Sequence, residues 1–72
     1  MPLTAAPLNV KLRIVKIAID DGKLRKHLES LGFVLDTVIT VIMRNKSGHI
    51  VQLGRGRLAL DYDISKRIFV TY

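Results

Sequence analysis

The chain has 72 residues, no cysteine and 49% hydrophobic side chains. That composition excludes a disulfide framework and a thiolate zinc site, and it is too apolar for a disordered chain, so one small core has to hold the fold. Twelve Lys and Arg against six Asp and Glu leave a net charge of +6, which favours an acidic partner (nucleic acid, anionic lipid or an acidic protein face) without choosing among them.

This length makes one domain, residues 1–72, near the lower limit for folding without staples. Self-association is an open route to burying more surface. No stretch approaches the roughly 20 apolar residues of a membrane-spanning helix. The strongest apolar runs, Phe33-Val34-Leu35 and Thr37 to Met43, are of strand length and are separated by Asp36. The start, Met1-Pro2-Leu3-Thr4, has neither the basic region nor the cleavage pattern of a secretory signal. The expected location is the cytoplasm.

In chain order, Leu8, Val10, Leu12 and Ile14 alternate with Asn9, Lys11 and Arg13, the period of a half-buried strand running from Val10 to Ala18. Val15, Ile17 and Ile19 then fall on the other parity, which predicts a bulge near Val15. Asp20 and Asp21 are N-cap candidates for a helix of about three turns. Its stripe is Leu24, Leu28 and Leu31, and Gly32 is placed to end it in a left-handed conformation. Val38 to Arg44 is dense in β-branched residues and reads as a central strand. Asn45-Lys46-Ser47-Gly48 is a hairpin turn, His49 to Leu53 the returning strand, and Gly54-Arg55-Gly56 a second tight connection. Arg57 to Tyr62 alternates again, with Leu58 and Leu60 inward. Asp63-Ile64-Ser65-Lys66 makes one helical turn capped by Asp63, and Ile68 to Thr71 forms the last strand.

The predicted fold is mainly β, with about five short strands and one short α-helix after the first strand. Strands this short in so small a chain curl into a barrel to hide their edges, and the helical turn before the last strand is a feature of SH3-like barrels.

The residues carry a family resemblance. The segment Leu24-Arg25-Lys26-His27-Leu28-Glu29-Ser30-Leu31-Gly32-Phe33 is similar to the basic helix ending in Leu-Gly of FeoA, a small cytoplasmic component of bacterial ferrous iron uptake. Gly48 to Leu53 and Gly56-Arg57-Leu58-Ala59-Leu60 resemble that family's hairpin and its G-x-x-L-A-L strand, and Ile64 to Val70 its closing segment. The resemblance covers essentially the whole chain. Four residues at three places depart from it: Leu35-Asp36 stands where the family usually has Pro-Gly, Asn9 where it often has Gly, and Ser65 where Ala is usual. Asn and Asp tolerate the left-handed region, so both turns are expected to survive. The resemblance implies a small SH3-like barrel with a binding role, assisting FeoB, a membrane transporter with a cytosolic GTP-binding domain. It places the protein at the inner membrane through that partner, with no small-molecule substrate and no cofactor.

Few residues could carry chemistry. His27 and His49 lack acidic neighbours at ligand spacing, so neither is expected to hold a metal, and both read as exposed or half-exposed. Ser30, Ser47 and Ser65 sit at turn or helix-end signals, where serine serves hydrogen bonding, and no nucleophile–base pair stands out. Gly54-Arg55-Gly56 lacks the following Lys and helix of a phosphate-binding loop. Arg55 or Arg57 could act as an arginine finger supplied in trans to a partner GTPase. The expected partner-binding residues are Lys23, Arg25 and Lys26 on the helix, Phe33 as an apolar anchor after it, and Arg55 and Arg57 on the last hairpin. The rival reading is a small basic barrel that binds RNA, but Phe33, Tyr62, Phe69 and Tyr72 are scattered and form no stacking platform, so no nucleic acid is expected.

Overall fold

The computed structural model describes residues 1–72. After a single 3-10 turn, Leu3–Ala5, come β1 (Lys11–Ile17), α1 (Gly22–Ser30), β2 (Val38–Asn45), β3 (Gly48–Leu53), β4 (Gly56–Asp61), α2 (Tyr62–Ser65) and β5 (Ile68–Thr71). The strands form one five-stranded antiparallel sheet in the order β4-β3-β2-β1-β5. The predicted central strand, β2, is the middle one.

The bulge inferred from the parity change in β1 is present. Pairing with β5 shifts between Ile14 and Lys16, leaving Val15 exposed and returning Ile17 to the core. Without the shift, the second half of β1 would turn its apolar set to solvent.

Both ends of α1 follow from side-chain chemistry. The Asp21 carboxylate accepts from the Lys23 and Leu24 amides at 3.0 and 3.2 Å, satisfying donors the helix itself cannot. At the other end Gly32, at φ 88°, reverses the chain. Its amide donates to Glu29 C=O and the Phe33 amide to Leu28 C=O, both at 2.9 Å, which is the Schellman arrangement. That reversal corrects two expectations. Leu31 does not complete the apolar stripe but is 43% exposed, whereas Phe33 is fully buried and is the largest side chain in the core. Phe33 is therefore a core residue and not a partner anchor.

Asn9 and Asp36 do adopt the left-handed conformation, at φ 61° and 70°. The Asp36 carboxylate also pairs with Arg13 at 2.9 Å. The cap of α2 is Asp61, not Asp63: Asp61 Oδ1 accepts from the Ile64 amide at 2.8 Å, while Asp63 pairs with Lys66.

The core draws on every strand and on α1, with Leu12, Ile14, Ile39, Val41, Val51 and Val70 all at or near zero exposure. Leu3 and Ala6 join it from the N-terminal segment. No helix is long and apolar enough to cross a membrane.

Candidate partner-binding surface

The six expected contact residues do not form one patch. Lys23 and Lys26 are exposed on α1, and the ion pairs of the protein leave both unpaired. Arg25 is committed to the fold. Its guanidinium donates to Ile17 C=O at 2.7 Å and lies 3.7 Å from the Glu29 carboxylate, tying α1 to the end of β1. Arg55 is exposed at the tip of the two-residue turn between β3 and β4, a position from which an arginine can reach into a partner. Arg57 lies on β4 and donates to Gln52 Oε1 at 3.2 Å.

The structure does bring the end of α1 to the last hairpin. Leu31, Leu53, Gly56, Arg57 and Leu58 border one shallow groove. Directly after α1 in the chain come Val34, Leu35 and Val38, which are 40%, 50% and 52% exposed. Apolar side chains held in solvent beside unpaired lysines and arginines are what a binding surface needs: anchors to bury and charge to orient them. Sequence reasoning named Val34's neighbour Phe33 and missed Leu31, Leu35 and Val38. The signal that could have found them is Gly32, because the turn it makes decides which side chain goes inward.

A second polar arrangement lies across the barrel. His49 is buried, contrary to the exposed position expected for it. Arg44 Nε donates to His49 Nε2 at 3.3 Å, so the ring proton sits on Nδ1 and is donated to Ser65 Oγ at 2.9 Å. Ser65 Oγ in turn donates to Asp61 C=O at 2.8 Å. Arg44 also donates to Ala6 C=O, so one relay joins the N-terminal segment, β2, β3 and α2. Burial and then the Arg44 charge hold the imidazole pKa below its ordinary value. The unfolded chain therefore binds a proton that the folded one refuses, and stability is lost as pH falls below about 6.5. The loss levels off once the folded imidazole also titrates. A His49→Gln variant should lose this extra acid-side slope; melting temperatures at pH 7.5 and 5.0 check it, and equal slopes in both proteins would count against the relay. Asp63, which is exposed, is held below the usual carboxylate range by the Lys66 hydrogen bond and charge.

The serines serve as hydrogen-bonding groups, Ser30 to His27 C=O and Ser47 to the Asn45 side chain. No three His, Asp or Glu side chains converge on a point that could hold a metal ion. Of the aromatics, Tyr62 and Tyr72 are exposed, on α2 and just beyond β5.

Comparison with known proteins places this geometry. No curated protein sequence matches the chain. A crystal structure of an iron uptake regulatory protein (FeoA) superposes with a TM-score of 0.82 at 25% identity, over 97% of this chain and 93% of that one. FeoA of Stenotrophomonas maltophilia, solved with zinc, superposes with a TM-score of 0.78 at 25% identity, over 99% of this chain and 89% of that one. That protein is described as a prokaryotic SH3-domain protein and proposed as a ferrous iron transport activating factor. The fold is likewise that of iron(II) transport protein A from Clostridium thermocellum, with a TM-score of 0.84 at 22% identity over 97% of this chain and 44% of that one. The mainly β, SH3-like fold expected from the residues is thus the observed one. The model of the FeoA domain matches residues 1–72, and the chain belongs to that family, which is associated with ferrous iron transport.

Proposed function

We propose that this protein is a non-catalytic adaptor that binds a FeoB-type, GTP-dependent ferrous iron transporter from the cytoplasmic side and modulates it by contact. The observation that carries the reading is the pairing of Lys23 and Lys26, exposed and free of ion pairs, with the exposed apolar residues Leu31, Val34 and Leu35 that follow on the same helix and turn. A surface of that kind fits an acidic protein face better than a nucleic acid, since none of its residues is aromatic and able to stack bases.

Capture of full-length transporter and of its cytosolic GTP-binding region on the immobilised protein tests the proposal. Reversing both charges (Lys23→Glu with Lys26→Glu) should weaken capture about tenfold or more, because like charges facing each other across an interface cost several kcal/mol. Arg25→Glu is unsuitable as the probe, because it would also free α1 from Ile17 C=O. Undiminished capture by the double variant moves the surface elsewhere. If neither the transporter nor its GTP-binding region is captured, and RNA is retained on the protein above physiological salt, the adaptor reading is overturned in favour of a nucleic-acid module.

A further inference from the structure

The two edges of the sheet are treated differently. At β5, the Met1 amine donates to Val70 C=O at 2.9 Å, the Val70 amide donates to Met1 C=O at 2.8 Å, and Pro2 bridges to Phe69. At the other edge, β4 is paired only on its β3 side. The hairpin between them has a two-residue turn, so its closing pair, Leu53 and Gly56, is hydrogen-bonded, and Leu58 and Leu60 turn their main-chain groups to β3 in the same way. Arg57, Ala59 and Asp61 therefore turn theirs outward. An open row of this kind is a template for another strand.

The strand carries its own complement. Reading Arg57-Leu58-Ala59-Leu60-Asp61 outward from Ala59, each position is matched by a suitable one at the same distance on the other side. If two copies pair antiparallel about a two-fold axis at Ala59, Arg57 faces the partner's Asp61, Leu58 faces the partner's Leu60, and Ala59 faces the partner's Ala59. A register shifted by two residues in either direction loses the oppositely charged pairs. The outer face continues across the seam as well. Met43 pairs with Ile50 and Ile50 with Ala59, so the apolar row crosses the axis into the same row of the second copy. Met43 and Ala59 are exposed in the single chain.

We propose that β4 is a self-association edge, where a second copy of this chain adds its own β4 antiparallel about Ala59. The Ala59 amide donates to the partner's Ala59 carbonyl, and the Asp61 amide to the partner's Arg57 carbonyl, each bond made twice. The Asp61 carbonyl already accepts from Ser65 Oγ and is not counted. Arg57 uses only its Nε on Gln52, on the β3 side, which leaves its terminal guanidinium nitrogens free to turn to the seam. Only one oxygen of the Asp61 carboxylate is used by the Ile64 amide, leaving the other for the partner's guanidinium. A six-residue edge buries well under the roughly 800 Å² per partner of a stable complex, so the dimer is a concentration-dependent one. It presents the basic helix twice.

Sedimentation equilibrium of the full chain from about 10 µM to about 1 mM, the range over which weak association registers, provides the test. The expected result is a monomer that becomes a dimer as concentration rises. Ala59→Pro removes the amide at the axis while leaving the β3 side intact, since an edge strand tolerates proline where its N–H faces out. That variant should stay monomeric with an unchanged fold by circular dichroism. Arg57→Asp and Asp61→Lys each place like charges across the seam, and each should be monomeric alone, yet their equimolar mixture should dimerise. Should Asp61→Lys unfold for want of its α2 cap, Arg57→Asp and Ala59→Pro decide the matter without it. A wild-type chain that is monomeric throughout, or a dimer that survives Ala59→Pro, overturns the proposal.

Discussion

Gly48→Ala is expected to leave little folded protein. A methyl group built on Gly48 runs into the Leu60 carbonyl oxygen, and it would stand 3.0 Å from the Leu60 carbonyl carbon and 2.9 Å from Asp61 Cα. All three are backbone atoms of β4, so no side chain can swing aside to relieve the contact. Relief requires β3 and β4 to part at the point where Asp61 caps α2 and where His49 begins the buried relay. The conformation of Gly48 is not the issue, because its φ is not positive; the space is. Overpacking against rigid backbone should cost about 4 kcal/mol or more. A chain of this length has a total stability on the order of 5 kcal/mol. Urea denaturation followed by circular dichroism reads the effect directly, and a midpoint within experimental error of wild type would refute the close approach of the two strands. Gly22→Ala is the natural control, because a methyl group there meets nothing within 4 Å.

Phe33→Ala should be nearly as damaging, for the opposite reason. Phe33 is fully buried and is delivered into the core by the turn at Gly32, and it joins Leu28 of the helix before it, which is 2% exposed. Truncation would remove the largest buried side chain and leave a cavity that the short connection between α1 and β2 has little freedom to close. The expected loss is about 3 to 5 kcal/mol, enough to populate the unfolded state at room temperature. A thermal melt checks it. This variant also tests the anchor role expected for Phe33 from the sequence, because a surface anchor would lower transporter capture without changing the melt.

Local chemistry was legible in the residues where it acts over a few positions. The parity change after Ile14 revealed the bulge. Asp21 and Gly32 bracketed α1, and Asn9 and Asp36 preserved the two left-handed turns that the family resemblance implied. What escaped depends on groups far apart in sequence or on residues with no period. Pro2 to Pro7 has neither helical nor strand alternation, yet Leu3 and Ala6 are fully buried there because β5 and α2 supply the wall they pack on. His49 looked exposed because its partners, Arg44 on β2 and Ser65 on α2, meet it only in three dimensions. Leu31 and Phe33 exchanged places because helical spacing extrapolates beyond the helix, whereas Gly32 stops it. The contact surface suffered the same limit: the positive charges of α1 were visible, but not that Arg25 is taken up by Ile17 C=O.

The pairing of β1 with β5 sets how this protein comes into being. Arg13 lies opposite Thr71 and Ile17 opposite Ile68, and Met1 is bonded to Val70, so the seam joins the first residues of the chain to the last. The β2-β3-β4 meander can pair as it emerges, but this seam cannot close early. On the ribosome the barrel has to wait until β5 has cleared the exit tunnel, and loop closure over nearly the full length must precede the β1–β5 contacts, which places folding among the slower, milliseconds-to-seconds processes of small domains. Until then the apolar strands β2 and β3 are unguarded, and the positive charge spread along the nascent chain is what keeps neighbouring copies apart.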